Sequence, residues 1–334
     1  MNELTKVLNG ESLNQEQTYK LFNHLIAGQL SDTQIAGMLM ALKIKGETPE
    51  ELAGAAQALR QAAKPFPRPK GLLADTCGTG GDGSNTINIS TSAGLVAAAM
   101  GVPVAKHGNR SVSSRSGSAD VLEALSIPLE GSPDDNRKLL DQHGFCFLFA
   151  PHYHPGVRYA MPARQALKTR TLFNLLGPLI NPAQPDVQLL GVYKPELCAP
   201  VAETLKLLNC PRAMVVHGSG LDELALHDET IIAELNQGEI IEYTVTPEDF
   251  GVQRASVNDL KGGDAERNAQ FMKDVFAGKG RVAHRDAIAM NVGAILYMTQ
   301  RATTLKAGTA EAISFLDSGQ ALTHLQQFQA ELCL

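Results

Sequence analysis

Tryptophan is absent from the chain, and no run of apolar residues approaches the ~18 that a membrane-spanning helix requires. The Ala-rich piece at 93–105 is too short, and Lys106 ends it. The N-terminus, MNELTKVLNG, lacks the apolar core of a signal peptide. Cysteine is scarce and scattered: Cys77, Cys146, Cys198, Cys210 and Cys333 are odd in number and form no CxxC pair. That speaks against a disulfide framework or a structural zinc site and fits a reducing compartment. A basic excess is missing too, with 29 Lys and Arg against 35 Asp and Glu and a net charge of −6. A general nucleic-acid binder is therefore disfavoured. Internal repeats and low-complexity tracts are also lacking. The expectation is a cytoplasmic protein with neither a membrane nor a nucleic-acid partner.

What is present suffices for a sizeable core: 44% hydrophobic and 19% charged residues in 334, enough for about two domains. Residues 1–63 read as helices. Ser31-Asp-Thr-Gln34 is a capping box followed by Ile35, Met38, Leu39 and Leu42 on one face, and Gly46 stops that helix. Thr48-Pro-Glu-Glu51 opens the next, with Leu52, Ala55, Ala56 and Leu59 as its stripe. Lys64-Pro-Phe-Pro-Arg-Pro-Lys70 reads as an extended, solvent-facing linker.

From about 71 the rhythm becomes alternating strands and helices. Strands are expected at Leu72–Thr76, Val102–Lys106, Cys146–Phe149, Val187–Val192 and Ala213–His217. Helices are expected at Ser90–Met100, capped by Ser90 or Thr91, and near 118–126, 134–143 and 196–208. The stretch 230–257 reads as a hairpin or edge layer, and 264–278, 283–301 and 308–333 as helical. The fold class is α/β: a small all-helical N-terminal domain plus a larger α/β domain with a mainly parallel central sheet.

Gly78-Thr-Gly-Gly-Asp-Gly-Ser-Asn85 matches G-x-G-x-x-G, a weak signal by itself. A dinucleotide site needs a helix starting at the glycines and an acid ending the next strand. Here Ser84–Ile89 intervenes, no helix is expected before Ser90, and the next strand ends in Lys106. No Gly-Lys-Ser/Thr follows either, so the loop is not a Walker A motif. What remains is a glycine-rich loop whose N–H groups converge on an anion, with Ser90 and Thr91 adding donors at a helix start.

The loop Lys106–Ser118 carries Lys106, Arg110 and Arg115, five hydroxyls and no acid before Asp120. In a parallel sheet it lies beside the first loop, and two donor-rich loops suit a ligand with several phosphates. Val215–Glu223 runs from a strand into a glycine turn that presents Asp222 and Glu223, a pair suited to Mg²⁺ beside phosphate oxygens. Met161–Arg164 and Arg170–Pro182 form the fourth element: an apolar run that should make a helix stopping sharply at Gly-Pro and Asn-Pro. Either Arg164 or Arg170 suits a carboxylate, and spacing does not choose between them.

The order GTGGDGSNTINIST, KHGNRSVSSRSGSADVLEALS, HPGVRYAMPARQALKTRTLFNLLGPLINP and HGSGLDE resembles the anthranilate phosphoribosyltransferases, over essentially the whole chain. The resemblance implies a helical domain over 1–66 completed by about 165–187, and an α/β domain over 71–164 and 188–334. It implies transfer of a phosphoribosyl group from 5-phosphoribosyl-1-pyrophosphate (PRPP) to anthranilate, in tryptophan biosynthesis. PRPP would be held by Gly78, Thr79, Gly80, Gly81, Asp82, Thr86, Asn88, Ser90, Thr91, Lys106, Gly108, Asn109, Ser114 and Ser118. Anthranilate would meet Gly78, His107, Asn109, Arg164, Gly177 and Pro178. Two Mg²⁺ ions would sit at Ser90, Asp222 and Glu223, and the chain would form a homodimer through the helical domain.

His107 is the candidate proton acceptor, with a purely binding role as its alternative. Cys77, Ser126 and His152–His154 depart from the pattern that the resemblance suggests; at 126 it suggests glycine. A pyrimidine nucleoside phosphorylase-like enzyme and a non-catalytic nucleic-acid-binding homologue are the rival readings. The intact Asp222-Glu223 pair and the acidic balance speak against them.

Overall fold

The structure is a computed structural model describing residues 2–111 and 115–332, with 331 and 332 described by backbone alone. Four helices come first: α1 (Asn2–Leu8), α2 (Gln15–Ile26), α3 (Asp32–Lys45) and α4 (Pro49–Gln61). Both expected capping boxes form. Ser31 Oγ accepts from the Gln34 N–H at 3.3 Å while Gln34 Oε1 accepts from the Ser31 N–H at 2.9 Å. Thr48 and Glu51 repeat this at 3.2 and 2.9 Å. Glu51 is wholly buried, and its carboxylate also takes the Leu13 N–H at 3.0 Å and Lys45 at 2.8 Å, so one side chain binds three segments together.

Strands and helices then alternate: β1 (Ala74–Gly78), α5 (Ile89–Ala99), β2 (Val104–Gly108), α6 (Ser118–Ala124), α7 (Pro133–His143), β3 (Phe145–Phe149), α8 (Ala150–Tyr153), α9 (Met161–Leu167), α10 (Phe173–Leu179), β4 (Val187–Gly191), α11 (Cys198–Leu207) and β5 (Arg212–His217). A hairpin of β6 (Thr230–Asn236) and β7 (Glu239–Val245) follows, then α12 (Ala265–Phe276), α13 (Val282–Met298), α14 (Leu305–Asp317) and α15 (Gln320–Leu332). The seven strands form one sheet in the order β3-β2-β1-β4-β5-β6-β7. β1 to β5 run parallel, and the hairpin adds two antiparallel strands at one edge.

Two features of this topology place the site. The chain builds outward from β1 in one direction and from β4 in the other, so a crevice opens beyond their carboxyl ends. Register puts Gly78 opposite Gly191 there. Strand alternation then divides the residues of β2 between two faces. Lys106 points to α5, where its Nζ lies 3.4 Å from Ser90 Oγ, and His107 points the other way, to α10. Two cores follow the same division. One joins α5, α12, α13 and one face of the sheet; the other joins α1–α4 with α9, α10, α11 and the opposite face. α9 packs on α3, and α10 on α4.

Four expectations need correction. The 64–70 linker is not simply solvent-facing: Phe66 is buried against Leu73, Cys146 and Tyr153, and Pro67 O accepts from Arg137 at 2.8 Å. Its prolines remove donors but leave Phe66 free to seek apolar cover. α5 starts at Ile89 with Asn88 as its cap residue, one position earlier than expected, and Asn88 makes no side-chain cap bond. The 308–333 segment is two helices, because Ser318-Gly319 breaks it and Gly319 takes φ +77°. Finally, Gly177 and Pro178 lie inside the last turn of α10 rather than beyond its end.

Candidate active site

At the end of β1 the chain enters a loop in which Gly80 and Gly81 take φ of +69° and +81°. Only glycine adopts these angles without strain. The loop wraps the Asp222 carboxylate, and the Gly80 N–H donates to Asp222 Oδ2 at 2.7 Å. The fit leaves no room for side chains. A Cβ on Gly78 would stand 2.2 Å from Asp222 Oδ2, and one on Gly191 would stand 1.6 Å from the Asp222 carbonyl. The Thr79 N–H donates to Gly191 O at 2.9 Å, which locks the loop to β4.

The N-terminus of α5 meets the second acid. The Ser90 N–H donates to Glu223 Oε1 at 3.1 Å, a helix start holding a carboxylate. Lys106 is buried beside it, bonded to Thr76 O and near Ser90 Oγ. Burial pushes both acids above the usual carboxylate range, and the charges of Asp82 and of each other add to the push on Asp222. Lys106 and the Ser90 N–H oppose it for Glu223. Asp82 itself is held by Ser84, from N–H at 3.1 Å and from Oγ at 2.7 Å.

This donor set fits Mg²⁺. Three repelling carboxylates are gathered beside hydroxyls and a glycine loop, and a hard cation with oxygen ligands relieves that repulsion. Among the described residues no three His, Cys, Asp or Glu side chains stand close enough to hold an ion by themselves. Any ion here needs ligand oxygens from elsewhere, as a phosphate-bound Mg²⁺ has.

The second loop is organised from within. Asn109 Oδ1 accepts from the Arg110 N–H, and Asn109 O accepts from Ser118 Oγ at 3.2 Å. A Cβ on Gly108 would fall 2.4 Å from Ser118 Oγ. Arg110 corrects the count of loop cations: its guanidinium is paired with Asp120 at 3.1 Å and Glu123 at 2.8 Å. Arg115 is exposed. Asn88 sends its amide to Ser116 O at 3.2 Å and accepts from Asn268 at 2.9 Å, so it fastens α5 to both neighbours. Thr86 lies in a bridge with Lys261, and Thr91 is buried in α5. Ser114 lies outside the described residues.

On the other face of β2, His107 is buried and its Nδ1 lies 3.1 Å from Gly177 O. A carbonyl only accepts, so Nδ1 carries the proton and Nε2 is a bare acceptor. Burial, with the nearby His154 and the cations Arg60 and Lys106, pulls the His107 pKa down to about 3. His154 stacks edge-on at 5.1 Å and is itself pulled down to about 4 by burial. A Cβ on Gly177 would meet nothing within 4 Å, so this face of α10 borders open space.

Arg164 lies over the Phe173 ring at 5.0 Å, and no carboxylate among the described residues pairs with it. Arg170, equally eligible from spacing, goes elsewhere: it bonds Gly81 O and covers the Tyr193 ring at 4.3 Å.

Sequence reading missed Arg170 as a support of the glycine loop, and it missed the buried polar set Asp75, Asn181 and Gln188. Asp75 and Gln188 did leave a signal, an acid and an amide inside otherwise apolar strands. Ser126 stands at φ +59°, a left-handed position that explains why glycine is the residue expected there.

Comparison with known proteins gives this arrangement a family. Residues 70–322 match the Glycosyl transferase family, a/b domain, and residues 3–63 match the Glycosyl transferase family, helical bundle domain. An anthranilate phosphoribosyltransferase of Idiomarina loihiensis is 59% identical over 98% of each chain. The crystal structure of the Thermus thermophilus enzyme of that name superposes with a TM-score of 0.95 at 45% identity, over the full length of both. The Saccharomyces cerevisiae enzyme, solved in complex with PRPP and Mg, gives 0.90 at 27% identity over 99% of this chain and 97% of that one.

Proposed function

Because the chain belongs to the anthranilate phosphoribosyltransferases, we propose that it transfers the phosphoribosyl group of PRPP to the amine of anthranilate, forming N-(5-phosphoribosyl)anthranilate and releasing pyrophosphate. One observation carries the reading: the glycine-loop and α5 N–H groups already grip the carboxylates of Asp222 and Glu223 at one crevice. Donors that hold carboxylate anions there are suited to pyrophosphate oxygens. The reaction breaks the C1–O bond of PRPP and forms a C1–N bond, so the chain must stabilise the leaving charge and aim the amine. Gly78–Asp82, Thr86, Asn88, Ser90, Thr91, Gly108 and Ser118 supply the bonds, and buried Lys106 supplies positive charge. Ser90, Asp222 and Glu223 would hold Mg²⁺, two ions in our reading. Bound there, Mg²⁺ would act as a Lewis acid on the leaving pyrophosphate.

On the acceptor side, Arg164, paired with no carboxylate among the described residues, is the cation for the anthranilate carboxylate, and His107, Asn109, Gly177 and Pro178 shape the slot. An aromatic amine has a free lone pair at neutral pH, and a histidine with pKa about 3 is a weak base. A binding role for His107 therefore suits the site better than proton removal. We also place the chain in the cytoplasm, in tryptophan biosynthesis, with residues 165–187 completing its helical domain. The homodimer reading has support in Leu8 and Ile44, apolar side chains of the helical domain that are 52% and 80% exposed.

The test follows anthranilate fluorescence in a chain with no tryptophan of its own to interfere. Decay that needs both PRPP and Mg²⁺ is expected. A folded chain that leaves the signal flat, yet cleaves a pyrimidine nucleoside with phosphate, would replace this reading.

A further inference from the structure

An α-helix leaves its last carbonyls without intrahelical partners. In α10 these belong to residues at and beside the open space next to Gly177, and three successive ones are taken by side chains from three different elements. Gly177 O accepts from His107 Nδ1 on β2 at 3.1 Å. Pro178 O accepts from Gln188 Nε2 on β4 at 2.7 Å. Leu179 O accepts from Arg60 Nε on α4 at 2.7 Å. The helix end is thus pinned to two strands of the sheet and to the helical bundle at once.

A second layer holds the pins. Gln188 and Asp75 are register partners on β4 and β1, both buried, and Asp75 Oδ2 lies 3.5 Å from Gln188 Nε2. A carboxylate beside the amide nitrogen fixes which way the amide points, leaving its nitrogen aimed at Pro178 O. The same Asp75 oxygen takes Asn181 Nδ2 at 2.9 Å, and Asn181 also donates to Ala105 O at 2.8 Å. The residues following α10 are therefore tied to β2 two positions before His107. Arg60 has no carboxylate partner among the described residues, and burial lowers its pKa to about 10. A cation at a helix C-terminus matches the negative end of the dipole.

We propose that Gln188 and Arg60 are positioning residues of the acceptor slot: with His107 they take three successive carbonyls at the end of α10 and set Gly177 and Pro178 at their distance from β2. Neither side chain touches the reacting atoms. They act through α10. The inference rests on the transferase reading and adds to it the residues that fix where anthranilate sits. A slot held by backbone carbonyls gains its shape from what clamps those carbonyls, so loosening a clamp widens the slot without disturbing the phosphate loops across the sheet.

The experiment uses Gln188→Met, which keeps length and removes the donor, together with Arg60→Met and Arg60→Lys. Steady-state constants for both substrates and the melting temperature are measured for each, with the wild-type chain as reference. Gln188→Met and Arg60→Met should raise KM for anthranilate about tenfold while KM for PRPP stays within about twofold. Arg60→Lys, which keeps a donor and the charge, should recover most of the loss. A purely structural role would instead lower the melting temperature and weaken both substrates together, and that result overturns the proposal. Folded variants with unchanged anthranilate KM overturn it as well. If Gln188→Met fails to fold, the two Arg60 variants decide alone. A wild-type chain that makes no product from anthranilate and PRPP removes the transferase reading and the proposal together, a failure visible before any variant is measured.

Discussion

Two helix ends frame the candidate site with opposite polarity, on opposite faces of the sheet. α5 presents its N-terminus, whose N–H groups seek anions, and it holds Glu223 there. α10 presents its C-terminus, whose carbonyls seek donors, and it holds His107, Gln188 and Arg60. The first end is built for charge exchange: its partners are acids that repel one another and that a cation would draw together. The second is built for fixity: neutral or singly charged donors satisfy each carbonyl, and the buried histidine beside it is kept uncharged. The sheet thus separates a place for moving charge from a place for holding shape.

The largest effect should come from breaking the charge-bearing end. Asp222→Asn with Glu223→Gln keeps side-chain size and one acceptor oxygen at each position but removes two negative charges. We expect kcat/KM to fall about 10²- to 10³-fold at saturating Mg²⁺, the scale of losing a main stabiliser of developing charge. The melting temperature without metal should hold or rise, because the variant relieves repulsion among Asp82, Asp222 and Glu223. Activity within tenfold of wild type would remove these acids from the mechanism.

Next comes the pH response of the fixed end. The neutral forms of His107 and His154 belong to the folded state, because burial and the cations Arg60 and Lys106 disfavour a further charge on His107. Their contribution is complete above about pH 6.5. It drains away as the pH falls toward the folded values near 4 and 3, at about 1.4 kcal/mol per unit per histidine. Urea unfolding at pH 7, 6 and 5 should therefore show a steeper loss for wild type than for His107→Asn, whose amide can still donate to Gly177 O. Parallel slopes would mean that His107 is not held neutral.

A single methyl then separates the two ends. Gly177→Ala adds a Cβ that meets nothing of the protein within 4 Å, so the fold should tolerate it while the slot narrows. KM for anthranilate should rise about tenfold, equivalent to ~1.4 kcal/mol, with PRPP unaffected. Gly80→Ala, at φ +69°, should give the converse: a strained glycine loop, about 1–2 kcal/mol less stable, with the penalty in PRPP. Crossed results would mean that the substrates have been assigned to the wrong ends.

The two ends were unequally legible in the sequence. The anion-binding end is local: four glycines in six residues, a hydroxyl pair and an Asp-Glu dipeptide state their chemistry by identity alone. Asp222 lies far from Gly80 in the chain, yet a parallel sheet brings successive strand ends to one edge, so their meeting could be expected. The carbonyl end speaks through backbone groups that every residue carries, and its partners stand 70, 10 and 119 positions away. Nothing in the spacing of Arg60 pairs it with Leu179. Asp75 and Gln188 alone left a trace, as polar residues within buried strands. Arg164 and Arg170 show the same limit, since only the fold sends one to Phe173 and the other to Gly81.

The smallest effect tests which cations serve the charge-bearing end. By residue count the loop after β2 offers Lys106, Arg110 and Arg115 alike. In the fold Lys106 is buried beside Ser90, whereas Arg110 is half-exposed and already answered by Asp120 and Glu123. Exposed pairs of this kind contribute little, so Glu123→Gln should shift the melting temperature by less than about 2 °C. The freed charge should change KM for PRPP by no more than about twofold, and that change should vanish at high salt, because exposed charges are screened. Lys106→Met, by contrast, should weaken PRPP at every ionic strength, since a buried cation is screened far less. A large, salt-resistant response to Glu123→Gln would place Arg110 among the phosphate ligands and make Asp120 and Glu123 its competitors for them.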